Sequence, residues 1–132
     1  MNDRGSIKDV PVVKDASKQG PIPSAWRPVF QDIVKAFVRG DFKVSTGVPG
    51  VSLVRDNVAD QIESYIKDYG ETLVELPDET WESSVCIWTG ERWDTIVDLW
   101  TAREGRSDLI LQTFVRESAG GFSYDICLVY VP

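Results

Sequence analysis

The hydrophobic period changes at Gly70, and this change does most to limit the folds open to the chain. Before it, Trp26, Phe30, Ile33 and Phe37 recur at spacings of four, three and four, with Val29, Val34 and Val38 widening the stripe. Those spacings place the side chains on one face of an α-helix. They predict a helix over 25–39, with Ser24 as its cap, Pro28 in the first turn and Gly40 as its stop. A second helix is predicted from Asp56, taken as its cap, to Gly70. Its apolar face is Val58, Ile62, Tyr65, Ile66 and Tyr69.

Beyond Gly70 apolar and polar residues alternate, which is the period of a strand. Strands are predicted over 71–76, 83–89, 92–101, 108–117 and 122–131. Gly90-Glu91 suits the tight turn of a first hairpin, because glycine accepts the positive φ such turns need. That turn sets Thr89 opposite Arg92, Trp88 opposite Trp93, Cys86 opposite Thr95 and Ser84 opposite Val97. A second hairpin around 118–121 sets Val115 opposite Tyr124, Thr113 opposite Ile126 and Leu111 opposite Leu128. The expected fold is therefore α+β: two N-terminal helices packed on one face of a mostly antiparallel sheet of about five strands. A chain of 132 residues has room for one core. Residues 1–22 mix Lys, Asp, Gly, Pro and Ser without a period, so a disordered tail is expected there and a single domain over 23–132.

Several chemistries are closed to this composition. The chain has no histidine, which excludes Ser-His and Cys-His nucleophile pairs and histidine metal ligands. Cys86 and Cys127 sit in strand-like runs and read as buried free thiols, on opposite sides of a sheet and unable to bridge. No zinc spacing, phosphate loop or nucleophile elbow occurs, so no metal or cofactor is expected. No apolar run reaches the length of about 18 residues that a membrane span needs. The N-terminus lacks a signal-peptide core, and a cytoplasmic location is the expectation. Net charge is −7, and residues 56–98 hold twelve acids against two bases. That balance argues against a nucleic-acid partner and for a basic protein partner or simple solubility.

Two places are candidates for binding. Trp81 lies among Glu75, Asp78, Glu79 and Glu82, an aromatic anchor inside an acidic rim. The other is the sheet face carrying Asp94, Asp98, Trp100, Phe114, Arg116 and Asp125, which reads as a groove with aromatic walls, as a solvated face, or as a homodimer contact. Asp94 and Asp98 are four residues apart on one strand, roughly 13 Å, too far for a glycosidase-type carboxylate pair.

The stretches Pro23-Ser-Ala-Trp-Arg-Pro-Val-Phe, Val38-Arg-Gly-Asp-Phe, Tyr69-Gly-Glu-Thr-Leu-Val-Glu-Leu-Pro, Trp93-Asp, Val97-Asp-Leu-Trp-Thr and Leu128-Val-Tyr-Val-Pro resemble a family of small bacterial proteins catalogued as a domain of unknown function. The resemblance covers residues 21–132 and implies a bacterial cytoplasmic protein. It carries over no activity and no functional residue. Gly40-Asp41 after a helix is similar to nuclear-transport-factor-like cone folds, which hold small-molecule pockets. The acidic, Trp- and Tyr-rich composition is similar to that of bacterial toxin-immunity proteins. Two functions are thus in view. The first is a non-catalytic binding or interaction domain, immunity-protein-like, with its acidic surface toward a basic protein. The alternative is a small-molecule pocket protein, or an enzyme of cone-fold type that uses its Asp residues.

Overall fold

The computed structural model describes residues 9–132. The part of the expected tail that falls on residues 1–8 lies outside the described residues. The fold is α+β, with two α-helices and a six-stranded, mostly antiparallel sheet. In chain order come β1 (Gly20–Pro21), a 3-10 helix (Ser24–Trp26), α1 (Arg27–Val38), α2 (Asp56–Tyr69), β2 (Leu73–Val74), a second 3-10 helix (Asp78–Glu82), β3 (Val85–Trp88), β4 (Trp93–Thr101), β5 (Gly105–Ser118) and β6 (Gly121–Tyr130). The strands lie in the order β1-β3-β4-β5-β6, and β2 pairs with the far end of β4.

The sixth strand comes from the segment expected to be a tail. Gly20 pairs with Cys86 and Pro21 with Val85. Pro21 is tolerated because β1 is an edge strand, where a missing N–H costs least. Ile22, next in the chain, is fully buried. Order therefore does not begin at Pro23: one residue of core and one strand lie upstream of it.

Burial along β4 alternates without a break, the signature of one covered and one open face. Trp93, Thr95, Val97, Leu99 and Thr101 point into the core, while Asp94, Ile96, Asp98 and Trp100 are half-buried on the other side. The helices contribute Trp26, Phe30, Ile33, Val34, Phe37, Ala59 and Ile62 to the same core. Trp26 meets Trp93 edge-on at 5.2 Å and Phe122 at 5.4 Å, and Phe30 meets Tyr124 at 6.0 Å. Gly70 closes α2 at φ 82, as its place in the sequence predicts.

Other local expectations are corrected. Ser24 does not cap α1; its Oγ accepts the Val10 N–H at 2.7 Å. Asp56 is the first residue of α2, not its cap, and its carboxylate pairs with Lys43. Tyr65 leaves the apolar face of α2 and is exposed, while Ala59 and Ile62 fill the core. The predicted strand over 71–76 shortens to two residues. In the second hairpin, Val115–Tyr124 and Thr113–Ile126 pair as expected, but Leu111 meets Val129 and Gln112 meets Leu128. A bulge at Gln112/Thr113 inserts Cys127 and shifts every later partner by one.

The outer edge of β6 is covered in two ways. Gln61 of α2 donates its amide to the Val129 carbonyl at 2.6 Å. The loop before α2 pairs through Ser52 N–H to Tyr124 O at 3.0 Å and Tyr124 N–H to Gly50 O at 2.8 Å. Gly50 makes this approach at φ +83, and a Cβ there would stand 2.9 Å from the Phe122 carbonyl oxygen. Gly50→Ala is expected to lower stability by about 1–3 kcal/mol through backbone strain and this clash. Urea unfolding checks it, and an unchanged midpoint would contradict the loop's placement.

Candidate functional site

Of the two candidate sites read from the sequence, the first loses its anchor. Trp81 is only 7% exposed and packs in the core, with the Arg27 guanidinium 5.5 Å from its ring centroid. Glu75, Asp78, Glu79 and Glu82 around it are all exposed. The acidic rim is present, but no aromatic side chain stands out of it.

The second candidate is partly assembled. Asp94 pairs in register with Phe114, and Phe114 with Asp125. Arg92 Nε donates to Asp94 Oδ1 at 3.1 Å, and Arg116 donates to Asp125 Oδ2 at 2.6 Å. The Arg92 guanidinium lies 3.8 Å from the Phe114 ring centroid and that of Arg116 lies 6.0 Å away. Each arginine thus covers the aromatic ring and neutralises one carboxylate. Asp94 and Asp125 sit on strands two apart, roughly 10 Å at the backbone, each held by its own arginine. Asp98 lies further along β4, where Ser83 Oγ donates to it. Trp100 lies beyond a register shift, opposite Arg106. Arginine contacts thus join Asp94, Phe114 and Asp125, whereas Asp98 and Trp100 lie further along β4.

A concave site lies elsewhere. Residues 10–24 form a loop whose ends meet: Val10 N–H donates to Ser24 Oγ at 2.7 Å, and Ser24 N–H donates to Val10 O at 3.0 Å. A compact loop closed at its own neck is an Ω-loop. It lies against the Trp88/Trp93 end of the sheet. Trp93 Nε1 donates to Val13 O at 2.8 Å, Lys14 Nζ sits 5.1 Å from the Trp88 ring centroid, and Lys14 pairs with Glu117 at 2.7 Å. Between loop and sheet is a cavity of about 280 Å³. Its floor is Cys86, Trp88 and Trp93, and Val10, Pro11, Val13, Gly20, Pro21 and Pro23 line its walls. Asp15, Lys18 and Gln19 supply the polar groups.

Sequence reasoning missed the loop half of this site because it took residues 10–19 as tail. One signal was there to be read: Val10-Pro11-Val12-Val13 is a run of four apolar residues in an otherwise polar stretch. Disordered segments lack such runs.

A family model described as a domain of unknown function, DUF7668, matches residues 34–132. The chain belongs to that family. Comparison with curated proteins and with solved structures gives no match. The residues matched by the DUF7668 model include the cavity floor, Cys86, Trp88 and Trp93, whereas the Ω-loop lies N-terminal to them. Among the described residues, no helix is long and apolar enough to cross a membrane, and no cluster of three or more Cys, Asp or Glu is placed to hold a metal ion.

The floor is chemically quiet. Cys86 and Cys127 are both free, as the strand registers predict. Burial pushes each thiol up to about 11, so both are neutral at physiological pH. Cys86 Sγ faces the Pro21 carbonyl at 3.6 Å. Iodoacetamide at pH 8 is expected to alkylate both thiols slowly in the folded protein and rapidly in urea, with mass spectrometry as the readout. Fast labelling of Cys86 in the folded state would contradict a loop that stays closed over it.

Proposed function

We propose that this chain is a non-catalytic binding domain that holds a small, largely apolar ligand in the cavity beneath its Ω-loop. The observation that carries the reading is the half-open cavity itself: an aromatic floor on the sheet, apolar walls, and a few polar groups gathered on the loop. That is the usual composition of a small-molecule site. In this reading the two helices cover one face of the sheet, and the loop extends that cover over Trp88 and Trp93.

A variant that fills the cavity provides the test. Gly20 lines the cavity and pairs with Cys86, so a side chain there points to the same side as Cys86. A Cβ built on Gly20 meets nothing within 4 Å. Gly20→Phe, whose Cβ has open space, is therefore expected to direct its ring into the cavity with little change in melting temperature. Calorimetric titration with 2-phenylethanol, a neutral aromatic probe, is expected to give a Kd of about 1 mM or tighter for the native protein. The same titration should give no measurable binding to Gly20→Phe. Equal binding to both proteins would remove the cavity as the site.

A second reading keeps a basic protein as partner, meeting the acidic segment. The exposed Glu75, Asp78, Glu79 and Glu82 favour it. Association there would be steered by charge and weaken as salt rises. The face around Phe114 is less suited to a second copy of the chain, since Arg92 and Arg116 already cover that ring.

A further inference from the structure

The polar groups of the cavity are not spread through it. On the sheet side two hydrogen-bonding groups are already matched: the Trp93 indole N–H is taken by Val13 O, and the Cys86 thiol faces Pro21 O. An occupant's body therefore gains nothing there by being polar and would lose by carrying an unmatched polar group. The charged groups, Asp15 and Lys18, both belong to the loop, three residues apart around the turn at Ala16-Ser17. Asp15 Oδ1 accepts the Ser17 N–H at 2.9 Å and the Ser17 Oγ–H at 2.6 Å. Its other oxygen, Oδ2, has no hydrogen-bond donor among the described residues. Lys18 makes no ion pair among the described residues, whereas Lys14 is engaged by Glu117. The loop thus brings one ammonium, on the exposed Lys18, and one carboxylate oxygen, on the half-buried Asp15, to the rim of the cavity.

Resting on the binding reading above, we infer that the ligand is a small zwitterion with a flat apolar body, the class of the aromatic α-amino acids, its carboxylate held by Lys18 and its ammonium by Asp15. Both head-group charges are met by opposite ones, and the body lies on the half-buried Trp88, with Trp93 packed beneath it. A singly charged ligand would satisfy one loop group and bring its charge near the like-charged other. The cavity of about 280 Å³ lies at the lower end of ligand-pocket sizes and suits a single aromatic ring with its head group.

Four compounds with a common phenyl body separate the contacts: phenylalanine (zwitterion), 3-phenylpropionate (anion), 2-phenylethylamine (cation) and 2-phenylethanol (neutral). They are titrated into the full chain, with tryptophan fluorescence excited at a wavelength where the phenyl group does not absorb. Phenylalanine is expected to bind at least ten-fold tighter than any of the other three. Lys18→Ala should weaken phenylalanine and 3-phenylpropionate by about ten-fold and leave 2-phenylethylamine unchanged or improved. Asp15→Asn keeps the oxygen that Ser17 uses and should weaken phenylalanine and 2-phenylethylamine instead. Equal affinity for all four compounds would overturn the zwitterion while leaving the cavity reading in place. So would variants that weaken all four alike. No binding of any of the four to the native protein would overturn both.

Discussion

Trp93→Ala is expected to cost about 3–5 kcal/mol of folding stability. Trp93 is fully buried on β4. Its ring meets Trp26 at 5.2 Å, Phe122 at 6.0 Å and Trp88 at 4.5 Å. Truncation to the β-carbon leaves a large void beside the first 3-10 helix and the loop together, and three aromatic neighbours lose their partner. Since small domains hold only about 5–15 kcal/mol in total, the variant should be close to unfolding at physiological temperature. Trp93→Phe keeps a ring in place and leaves the Val13 carbonyl without the indole N–H, so its expected cost is nearer 1–2 kcal/mol. Urea unfolding of the two variants beside the native chain checks both values. A cost below about 1 kcal/mol for Trp93→Ala would contradict its place at the junction of helix, loop and sheet.

The second large effect is removal of the loop. A chain beginning at Gly20 is expected to lose about 2–4 kcal/mol, a fall in melting temperature of roughly 10 °C. The sequence alone argues the opposite, because residues 1–22 have no periodic apolar face. The structure supplies the reason for the reversal. Truncation there deletes both hydrogen bonds between Val10 and Ser24 and the acceptor of the Trp93 indole N–H. It also uncovers Trp88, which packs at the margin of the core, and removes the partly buried Val12. A buried indole N–H left without a partner costs about 1–3 kcal/mol by itself. A melting temperature unchanged by the truncation would mean that the loop is not closed over the sheet in solution.

The legible and illegible parts of this fold differ in one physical respect. Helices and strands that bury a face advertise it by period, so α1, α2 and the unbroken alternation of β4 could be read directly. The Trp88–Trp93 pair followed from a two-residue turn. Features decided by single backbone contacts leave no period. The bulge at Gln112/Thr113 adds one residue, Cys127, and moves Leu111 from Leu128 to Val129 with both partners still apolar. β1 is two residues long, and one of them is proline. Trp81 has acidic neighbours in the chain and so reads as exposed. In the fold it joins the core, with Arg27, 54 positions away in the chain, against its ring. The cavity combines these difficulties, since half of it is a loop held by four backbone or side-chain bonds rather than by an apolar stripe.

The cavity under the Ω-loop is the central claim, and the five tryptophans give it a direct readout. In ¹⁵N-labelled protein each indole N–H yields its own NMR signal. On titration with 2-phenylethanol, the Trp88 and Trp93 signals should move and saturate together, while those of Trp81 and Trp100, which do not line the cavity, stay in place. Gly20→Phe should abolish the movement. Signals that move first at Trp100 or Trp81, or movement of Trp88 and Trp93 that persists in Gly20→Phe, would contradict the account.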